Sequence, residues 1–204
     1  MGLFQKLFKK KEVNNDNPYI DFLKVYNELL SQDQYLARSD YKDLVEDYKE
    51  SFLELDKIYK YSFDKYCAEN NFDKNEVKRF YDLYSDLKNL KEESKEIKKH
   101  NNLFLDNHLK SDKEFLDNVL SDIDKNITLD EEQRKVVLSD EDYTLVIAGA
   151  GAGKTTTLAA KVSYLVNVKN VDPKKILVIS FTNKAVNELK ERINDVLHID
   201  CPIA

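Results

Sequence analysis

Between residues 17 and 126, apolar side chains recur every three or four positions and are separated by charged and polar side chains. The clearest run alternates spacings of four and three residues and consists of Tyr41, Val45, Tyr48, Phe52, Leu55 and Tyr59. Such a heptad seam predicts a helix that packs against another helix. Shorter stripes with helical spacing follow at residues 77–87 and 109–123. We therefore expect residues 1–126 to form an all-α extension of helical hairpins or coiled coils.

Polar residues mark the starts of some of these helices. Asn17 followed by Pro18 is typical of an N-cap and a first helical residue. We expect this helix to run for about five turns, to Leu36. Asp73, with Glu76 three residues later, resembles a capping box at the start of another helix.

After residue 126 the pattern changes to short apolar runs. Residues 143–148 (YTLVIA) and 176–181 (ILVISF) are rich in β-branched and apolar residues, as buried strands are. Between them, residues 158–165 have an apolar helical face. Strand, helix and strand in this order predict a parallel β-α-β unit with a right-handed crossover. Residues 199–204 resemble the start of a third strand, so we expect an incomplete parallel α/β sheet in residues 127–204.

Composition excludes several classes of protein. The 204 residues are 42% hydrophobic and 34% charged, which is enough apolar material for a core and argues against wholesale disorder. No apolar run reaches transmembrane length, and the N-terminus has no secretory signal. Two cysteines without C-x-x-C spacing support neither a disulfide scaffold nor a zinc ribbon, and fit a cytoplasmic location. Because the net charge is −6, affinity for nucleic acid would have to come from a local site.

Three of the four glycines fall within a single loop between the first predicted strand and its helix. The loop and the first helical residues are Ala148, Gly149, Ala150, Gly151, Ala152, Gly153, Lys154, Thr155 and Thr156. Strand, glycine-rich loop, Lys-Thr and helix is the context of a phosphate-binding P-loop, although Ala148 takes the first glycine position of G-x-x-x-x-G-K-[ST]. Glycines let backbone N–H groups curl around an anion, and the helix N-terminus adds its dipole.

Two side chains of this loop predict nucleotide chemistry. Lys154 supplies a positive charge for the β- and γ-phosphates, and the Thr155 hydroxyl can ligate Mg²⁺. These are the two candidate catalytic residues, and Thr155 is the candidate metal ligand. Loops after parallel strands meet at one edge of a sheet, so we expect residues 181–184 to lie at the same edge.

Residues 127–204 resemble the start of the first motor domain of superfamily 1A helicases of the UvrD/Rep type. Residues 129–133 (LDEEQ) look like the family's Q motif, residues 148–155 (AGAGAGKT) are similar to motif I, and residues 179–193 (ISFTNKAVNELKERI) resemble motif Ia. The long helical extension before them makes the helicase IV-like branch the nearest comparison. The resemblance implies a RecA-like P-loop fold, use of ATP with Mg²⁺, and 3′-to-5′ movement on DNA.

The resemblance also implies roles for individual residues. Gln133 would bind the adenine edge, since its amide both donates and accepts. Phe181, Thr182 and Asn183 would contact single-stranded DNA at a duplex junction, by base stacking and by polar contacts. Thr156 stands where many family members have arginine, so a nucleotide contact from this position departs from the family pattern.

Several parts of a complete helicase of this type do not appear before Ala204. The acidic pair that binds Mg²⁺, the arginines that contact the γ-phosphate and the second motor domain are missing from the sequence. We therefore expect an N-terminal fragment or a truncated product that binds ATP weakly or not at all and does not hydrolyse it.

Two other interpretations stay open at the level of sequence. A signal-recognition-type GTPase also combines a helical N-terminal domain with a G-K-T-T-T loop, matched here by residues 153–157. Alternatively, the chain is a non-catalytic interaction module that binds a protein partner through residues 12–126, with an inert P-loop. Competition between ATP and GTP would separate the first alternative, and deletion of the helices would test the second.

Overall fold

The computed structural model describes residues 16–90, 93–149 and 151–204. These residues form two compact units. The first unit extends to Phe104 and includes Asp140–Asp142, and the second comprises Leu105–Ser139 and Tyr143–Ala204. This division into units does not test the domain boundary expected after residue 126, which stays a prediction.

Every regular element described in the first unit is a helix. The helices are α1 (Pro18–Leu30), α2 (Arg38–Asp47), α3 (Lys49–Tyr59), α4 (Phe63–Glu69), α5 (Lys74–Leu87) and α6 (Lys95–Ser111), the last of which continues into the second unit. The predicted N-caps are present: the Asn17 side chain accepts a hydrogen bond from the Ile20 amide, and that of Asp73 accepts from the amides of Asn75 and Glu76.

Helix α1 ends at Leu30, six residues before the predicted end at Leu36. Leu36 itself takes part in a long-range contact. The Leu36 amide donates to Asn101 Oδ1 over 2.8 Å, and Asn101 Nδ2 donates back to the Leu36 carbonyl over 3.1 Å. Because Asn101 takes both backbone groups of Leu36, these groups are satisfied without helical bonds.

The predicted heptad seam is mostly buried, but two helices share it. Tyr48 lies between α2 and α3, and it is buried together with Tyr41, Val45, Phe52 and Leu55. Tyr59, the last position of the seam, is only half-buried. The seam therefore marks core positions correctly although the helix is interrupted.

Aromatic side chains form the centre of this unit. Phe22 is fully buried, and its ring centroid lies 4.9 Å from that of Phe80 and 5.4 Å from that of Tyr48. Phe52 stacks on Tyr84 with centroids 4.5 Å apart. The Tyr84 hydroxyl donates to the Val45 carbonyl over 2.8 Å, which satisfies its polar end inside the core.

The second unit is also mainly helical. Its elements are α7 (Lys113–Asn118), α8 (Glu131–Leu138), α9 (Lys154–Asn167), a 3₁₀ turn (Pro173–Lys175), α10 (Asn183–Lys190) and a π-helix (Glu191–Val196). Helix α9 contributes to two apolar clusters. Ala160 and Tyr164 belong to one cluster with residues of α7 and α8, while Ala159 and Val162 belong to another with α10 and the π-helix. The helix that follows the glycine-rich loop is thus packed on two sides.

The predicted RecA-like parallel sheet is wrong for the described residues, which contain no strand. The extended segment at 176–181 forms only an isolated parallel bridge, between Val178 and Ile203. The Val178 amide donates to the Pro202 carbonyl over 3.0 Å, and the Ala204 amide donates to the Val178 carbonyl over 2.9 Å. This is the contact of the predicted third strand, but it is too short to form a ladder.

The other predicted strand, residues 143–148, has no ladder partner within the described part of the chain. Its side chains at Tyr143, Leu145 and Ile147 are 85–90% exposed. A sheet requires a neighbouring strand to take the backbone N–H and C=O groups. An apolar β-branched run predicts suitability for a strand, but it does not supply that neighbour.

Two further expectations concern membrane-spanning helices and the cysteines. In the ranges that the structure describes, no helix combines the length and apolar character needed to cross a membrane. Cys67 and Cys201 are both buried free thiols.

Candidate nucleotide-binding site

The glycine-rich loop reaches α9 through two left-handed backbone positions. Gly151 has φ +77° and Gly153, the N-cap of α9, has φ +72°. Side chains other than hydrogen are strained in this region, so glycine fits both positions. Gly149 is not left-handed, and a Cβ atom there would meet nothing within 4 Å. Ala150 was predicted to belong to the loop and lies outside the described residues.

The ammonium group of Lys154 is folded against the start of the loop. Its Nζ donates to the carbonyl oxygens of Gly149 over 2.6 Å and of Ala148 over 3.2 Å. The side chain is exposed, so an arriving anion can compete for the same protons. The charge predicted for phosphate binding therefore lies within the loop.

The threonines after Lys154 have different environments. Thr155 and Thr156 are half-buried in the first turn of α9. Thr157 is buried, and its hydroxyl donates to the Gly153 carbonyl over 3.0 Å. This last contact, which joins the loop to the helix, was not predicted. A threonine four residues after a helix-capping glycine was the available signal.

Gln133 lies beside this loop although it is far away in sequence. Its Nε2 donates to the Ala152 carbonyl over 3.2 Å. Gln133 also forms a capping box with Asp130 at the start of α8. The backbone N–H of Gln133 donates to Asp130 Oδ1 over 2.8 Å, and the backbone N–H of Asp130 donates to Gln133 Oε1 over 2.9 Å.

These bonds fix the orientation of the Gln133 carboxamide. Oε1 accepts from a backbone amide and Nε2 donates to a carbonyl, so an exchanged orientation would lose both bonds. A carboxamide has two N–H donors and two oxygen lone pairs. One donor and one lone pair are left for the edge of a base, which is the pairing that adenine recognition requires.

A cleft of about 650 Å³ connects these features. Its polar lining includes Gln133, Lys154 and Lys161, and its apolar lining includes Leu145 and Ile147. Ligand sites commonly have this size and this combination of apolar walls with a few polar groups. A larger groove of about 740 Å³ in the first unit is lined by side chains of α1 and α5 and contains no glycine-rich loop. We consider the smaller cleft the better candidate because it has chemistry suited to phosphate.

Lys161 is a further residue that sequence analysis missed. Its Nζ donates to the carbonyl oxygen of Val137 over 2.9 Å and to that of Ser139, at the end of α8. A lysine bound to the last carbonyls of a helix stabilises that end. Lys161 thus joins α9 to the helix that carries Gln133. The contact spans 22 and 24 residues, and no local pattern predicts it.

The predicted DNA residues lie outside the lining of this cleft. Phe181 is fully exposed, which excludes a place in the core. The Thr182 hydroxyl accepts from the Ala185 amide over 3.2 Å and caps α10, whose first residue is Asn183. The three residues are therefore together at the start of α10, and their role in DNA binding stays a prediction.

The residues present fit a nucleoside triphosphate with Mg²⁺. The loop has glycines at both left-handed positions, a lysine inside it and a threonine in the next turn. Among the described residues there is no group of three or more His, Cys, Asp or Glu side chains that could hold a metal. Mg²⁺ is commonly bound through few protein ligands together with substrate phosphates, so such a group is not required.

A comparison with protein families identifies this region. Residues 129–201 match the model of the UvrD/REP helicase N-terminal domain. This stretch is similar to the N-terminal domain of UvrD/REP helicases. The segment contains Gln133, the glycine-rich loop and the start of α10, so the resemblance to UvrD/Rep helicases is confirmed for this part of the chain.

Named helicases also match part of the chain. The chain is 45% identical over 65 residues to a probable DNA helicase II homolog of Mycoplasma capricolum, covering 32% of this chain and 9% of the relative. It is 42% identical over 74 residues to the ATP-dependent DNA helicase UvrD1 of Mycobacterium leprae, covering 36% and 10%. It is 44% identical over 66 residues to the ATP-dependent DNA helicase PcrA of Staphylococcus aureus, covering 32% and 9%. The matched region is about a tenth of the length of these relatives.

Proposed function

We propose that this chain is the N-terminal part of an ATP-dependent DNA helicase and that its UvrD/REP segment binds ATP. The observation that carries the proposal is the contact between Gln133 and the glycine-rich loop. A base-reading amide and a phosphate-binding loop then lie on one cleft, as recognition of a nucleotide requires. The names of the matched helicases support ATP as the nucleotide.

Three residues of the site have different proposed roles in nucleotide binding. Gln133 offers its remaining donor and lone pair to the adenine edge. Lys154 exchanges the carbonyls of Ala148 and Gly149 for the β- and γ-phosphates. Thr155 is the proposed protein ligand of Mg²⁺, which supplies positive charge between those phosphates when it is bound.

We propose that single-stranded DNA, or a duplex junction, is bound at the start of α10. Phe181 is fully exposed, so its ring is available for stacking on a base. Such stacking contributes about 1–3 kcal/mol per base. Thr182 and Asn183 add polar groups next to it. ATP hydrolysis and 3′-to-5′ movement are proposed for the whole helicase, acting in the cytoplasm. A protein partner for residues 12–126 stays a prediction, and residues 12–15, 91 and 92 lie outside the described part.

Binding of a fluorescent ATP analogue tests the nucleotide site. Titrations should extend into the millimolar range, because we expect weak binding by this chain. Lys154→Ala should weaken binding about ten- to a hundredfold, since it removes a charge-assisted contact. Lys184→Ala, an exposed lysine of α10, is the matched control and should leave affinity unchanged.

Competition distinguishes the alternatives. Unlabelled ATP should displace the analogue better than GTP, and Gln133→Ala should reduce this preference. Equal competition by GTP would favour the signal-recognition-type GTPase. Absence of any Lys154-dependent binding at millimolar nucleotide would refute the proposed site.

A further inference from the structure

Arg192 joins two helices of the second unit. Its Nη1 donates to Thr156 Oγ1 in α9 over 2.9 Å. Its Nη2 lies 2.8 Å from Glu188 Oε1 in α10. The Arg192 side chain is 24% exposed, so both contacts are partly shielded from water. A guanidinium suits this place because its planar fork presents separate donors in two directions.

One end of this link is next to a predicted nucleotide-site residue, and the other lies in the helix that follows the predicted DNA-site residues. Thr156 directly follows Thr155 and lies in the first turn of the helix that begins at Lys154. Glu188 belongs to α10, the helix that Thr182 caps and that follows the exposed Phe181. Arg192 therefore connects the helix of the proposed nucleotide site with the helix that begins at the proposed DNA site.

Helix α10 and the following π-helix both pack against α9. Leu189 and Ile193 are buried, and they share an apolar cluster with Ala159 and Val162 of α9. Arg192 lies within the π-helix, an irregular form that is rare and frequent at functional sites. The start of α10 and Arg192 are thus separated by helical residues only, without an intervening loop.

We infer that Arg192 is a positioning residue that couples DNA binding at residues 181–183 to ATP binding at the glycine-rich loop, through Thr156. This inference rests on the proposed function. DNA that orders the start of α10 also orders Glu188 and Arg192. The bond to Thr156 then holds the first turn of α9, which carries Lys154 and Thr155. ATP binds more tightly to a loop that is already ordered, so the coupling is positive.

The coupling ratio is the quantity to measure. It is the Kd for the ATP analogue without DNA divided by the Kd with saturating oligo(dT) of about 12 nucleotides. Allosteric couplings are typically about 5- to 150-fold, and we expect a wild-type ratio in the lower part of this range. Arg192→Lys keeps the positive charge but loses the fork, and it should lower the ratio towards one. Lys190→Gln removes an exposed charge at the end of α10, two residues before Arg192, and should leave the ratio unchanged.

Variants of Thr156 provide the second side of a double-mutant cycle. Thr156→Val removes the acceptor and should lower the ratio, whereas Thr156→Ser keeps the hydroxyl and should retain it. Thr156 is itself next to the nucleotide, so its affinity for ATP alone is not the readout. Combining Thr156→Val with Arg192→Lys should give no further loss of coupling, because both remove the same bond. Circular dichroism establishes that each variant is folded, and Thr156→Val remains informative if Arg192→Lys is not.

Each possible result of these measurements leads to a different conclusion. A ratio that is unchanged in Arg192→Lys and in Thr156→Val would overturn the inference and assign Arg192 to stability alone. A wild-type ratio of one, with both ligands bound, would also overturn it but would leave the proposed function intact. Failure of the wild-type chain to bind both ATP and oligo(dT) would overturn the proposed function and the inference together.

Discussion

The three glycines of the loop should respond differently to the same substitution. Gly149→Ala adds a methyl group in open space at a position that is not left-handed. Gly151→Ala also meets nothing within 4 Å, but its φ is +77°. Gly153→Ala combines φ +72° with a Cβ atom 2.8 Å from Gln133 Nε2. The series therefore separates backbone strain from steric contact.

The expected magnitudes follow from these contacts. Alanine at a left-handed position costs about 1–2 kcal/mol, which is the whole effect for Gly151→Ala. At Gly153 the Gln133 side chain must also withdraw, and its hydrogen bonds contribute about 0.5–1.5 kcal/mol each. We expect a loss of about 2–4 kcal/mol for Gly153→Ala. Gly149→Ala should be neutral or about 0.4–1 kcal/mol more stable, because it restricts the unfolded chain.

Hydrogen exchange measured by mass spectrometry is the suitable assay. The chain has two compact units and no tryptophan, so a single global unfolding curve would not isolate this region. The most protected amides of α9 report the free energy of local opening. A change of about 1.4 kcal/mol alters their exchange tenfold, so Gly153→Ala should accelerate exchange by more than tenfold.

Two results would refute the reasoning. Equal effects of Gly151→Ala and Gly153→Ala would show that the Gln133 contact contributes nothing. A large loss in Gly149→Ala would show that backbone conformation does not distinguish the positions. In a Gln133→Ala background the steric part disappears, so Gly153→Ala should then cost about as much as Gly151→Ala.

Three further predictions concern other contacts. Lys161→Met should destabilise α8 by about 1–3 kcal/mol by removing its terminal carbonyl contacts, measured as faster exchange of the α8 amides. Asn101→Ala should cost the first unit about 2–4 kcal/mol, measured by hydrogen exchange of its most protected amides, because both backbone groups of Leu36 lose their partners; a loss below 1 kcal/mol would contradict this. Hydrogen bonds from Lys113 and Arg134 lower the pKa of Asp117, so its stabilising effect should be lost as pH falls below about 3.8. Carboxyl NMR should show Asp117 titrating below that value, and Arg134→Gln should raise its pKa.

Features set by neighbours in the sequence were predictable. The N-cap at Asp73 and the glycines at the left-handed positions depend on residues at most five positions apart. Their geometry is determined by local backbone sterics and by short side-chain-to-backbone bonds. A heptad seam also depends on spacing along the chain, so its buried positions were predicted although the helix breaks at Tyr48.

Features that need a distant partner were not predictable from local patterns. Leu36 was expected to end helix α1, but its backbone is instead bonded to Asn101, 65 residues later. Thr156 and Arg192 are 36 residues apart, and neither belongs to a periodic pattern. The prediction of a sheet was wrong for the same reason. Residues 143–148 have strand-forming character but no pairing segment within the described chain. Strand propensity largely measures fit to a pleated, half-buried surface that other residues must provide.

Gln133 shows why a structural role and a binding role need not be alternatives. As a capping residue it uses one lone pair for the Asp130 amide, and as a brace for the loop it uses one N–H for the Ala152 carbonyl. The remaining donor and lone pair belong to the same planar group, so their directions are fixed by the two bonds already made. Since the carboxamide is oriented before a ligand arrives, less conformational freedom is lost on binding. The structural contacts of Gln133 are therefore compatible with its proposed role in reading the base.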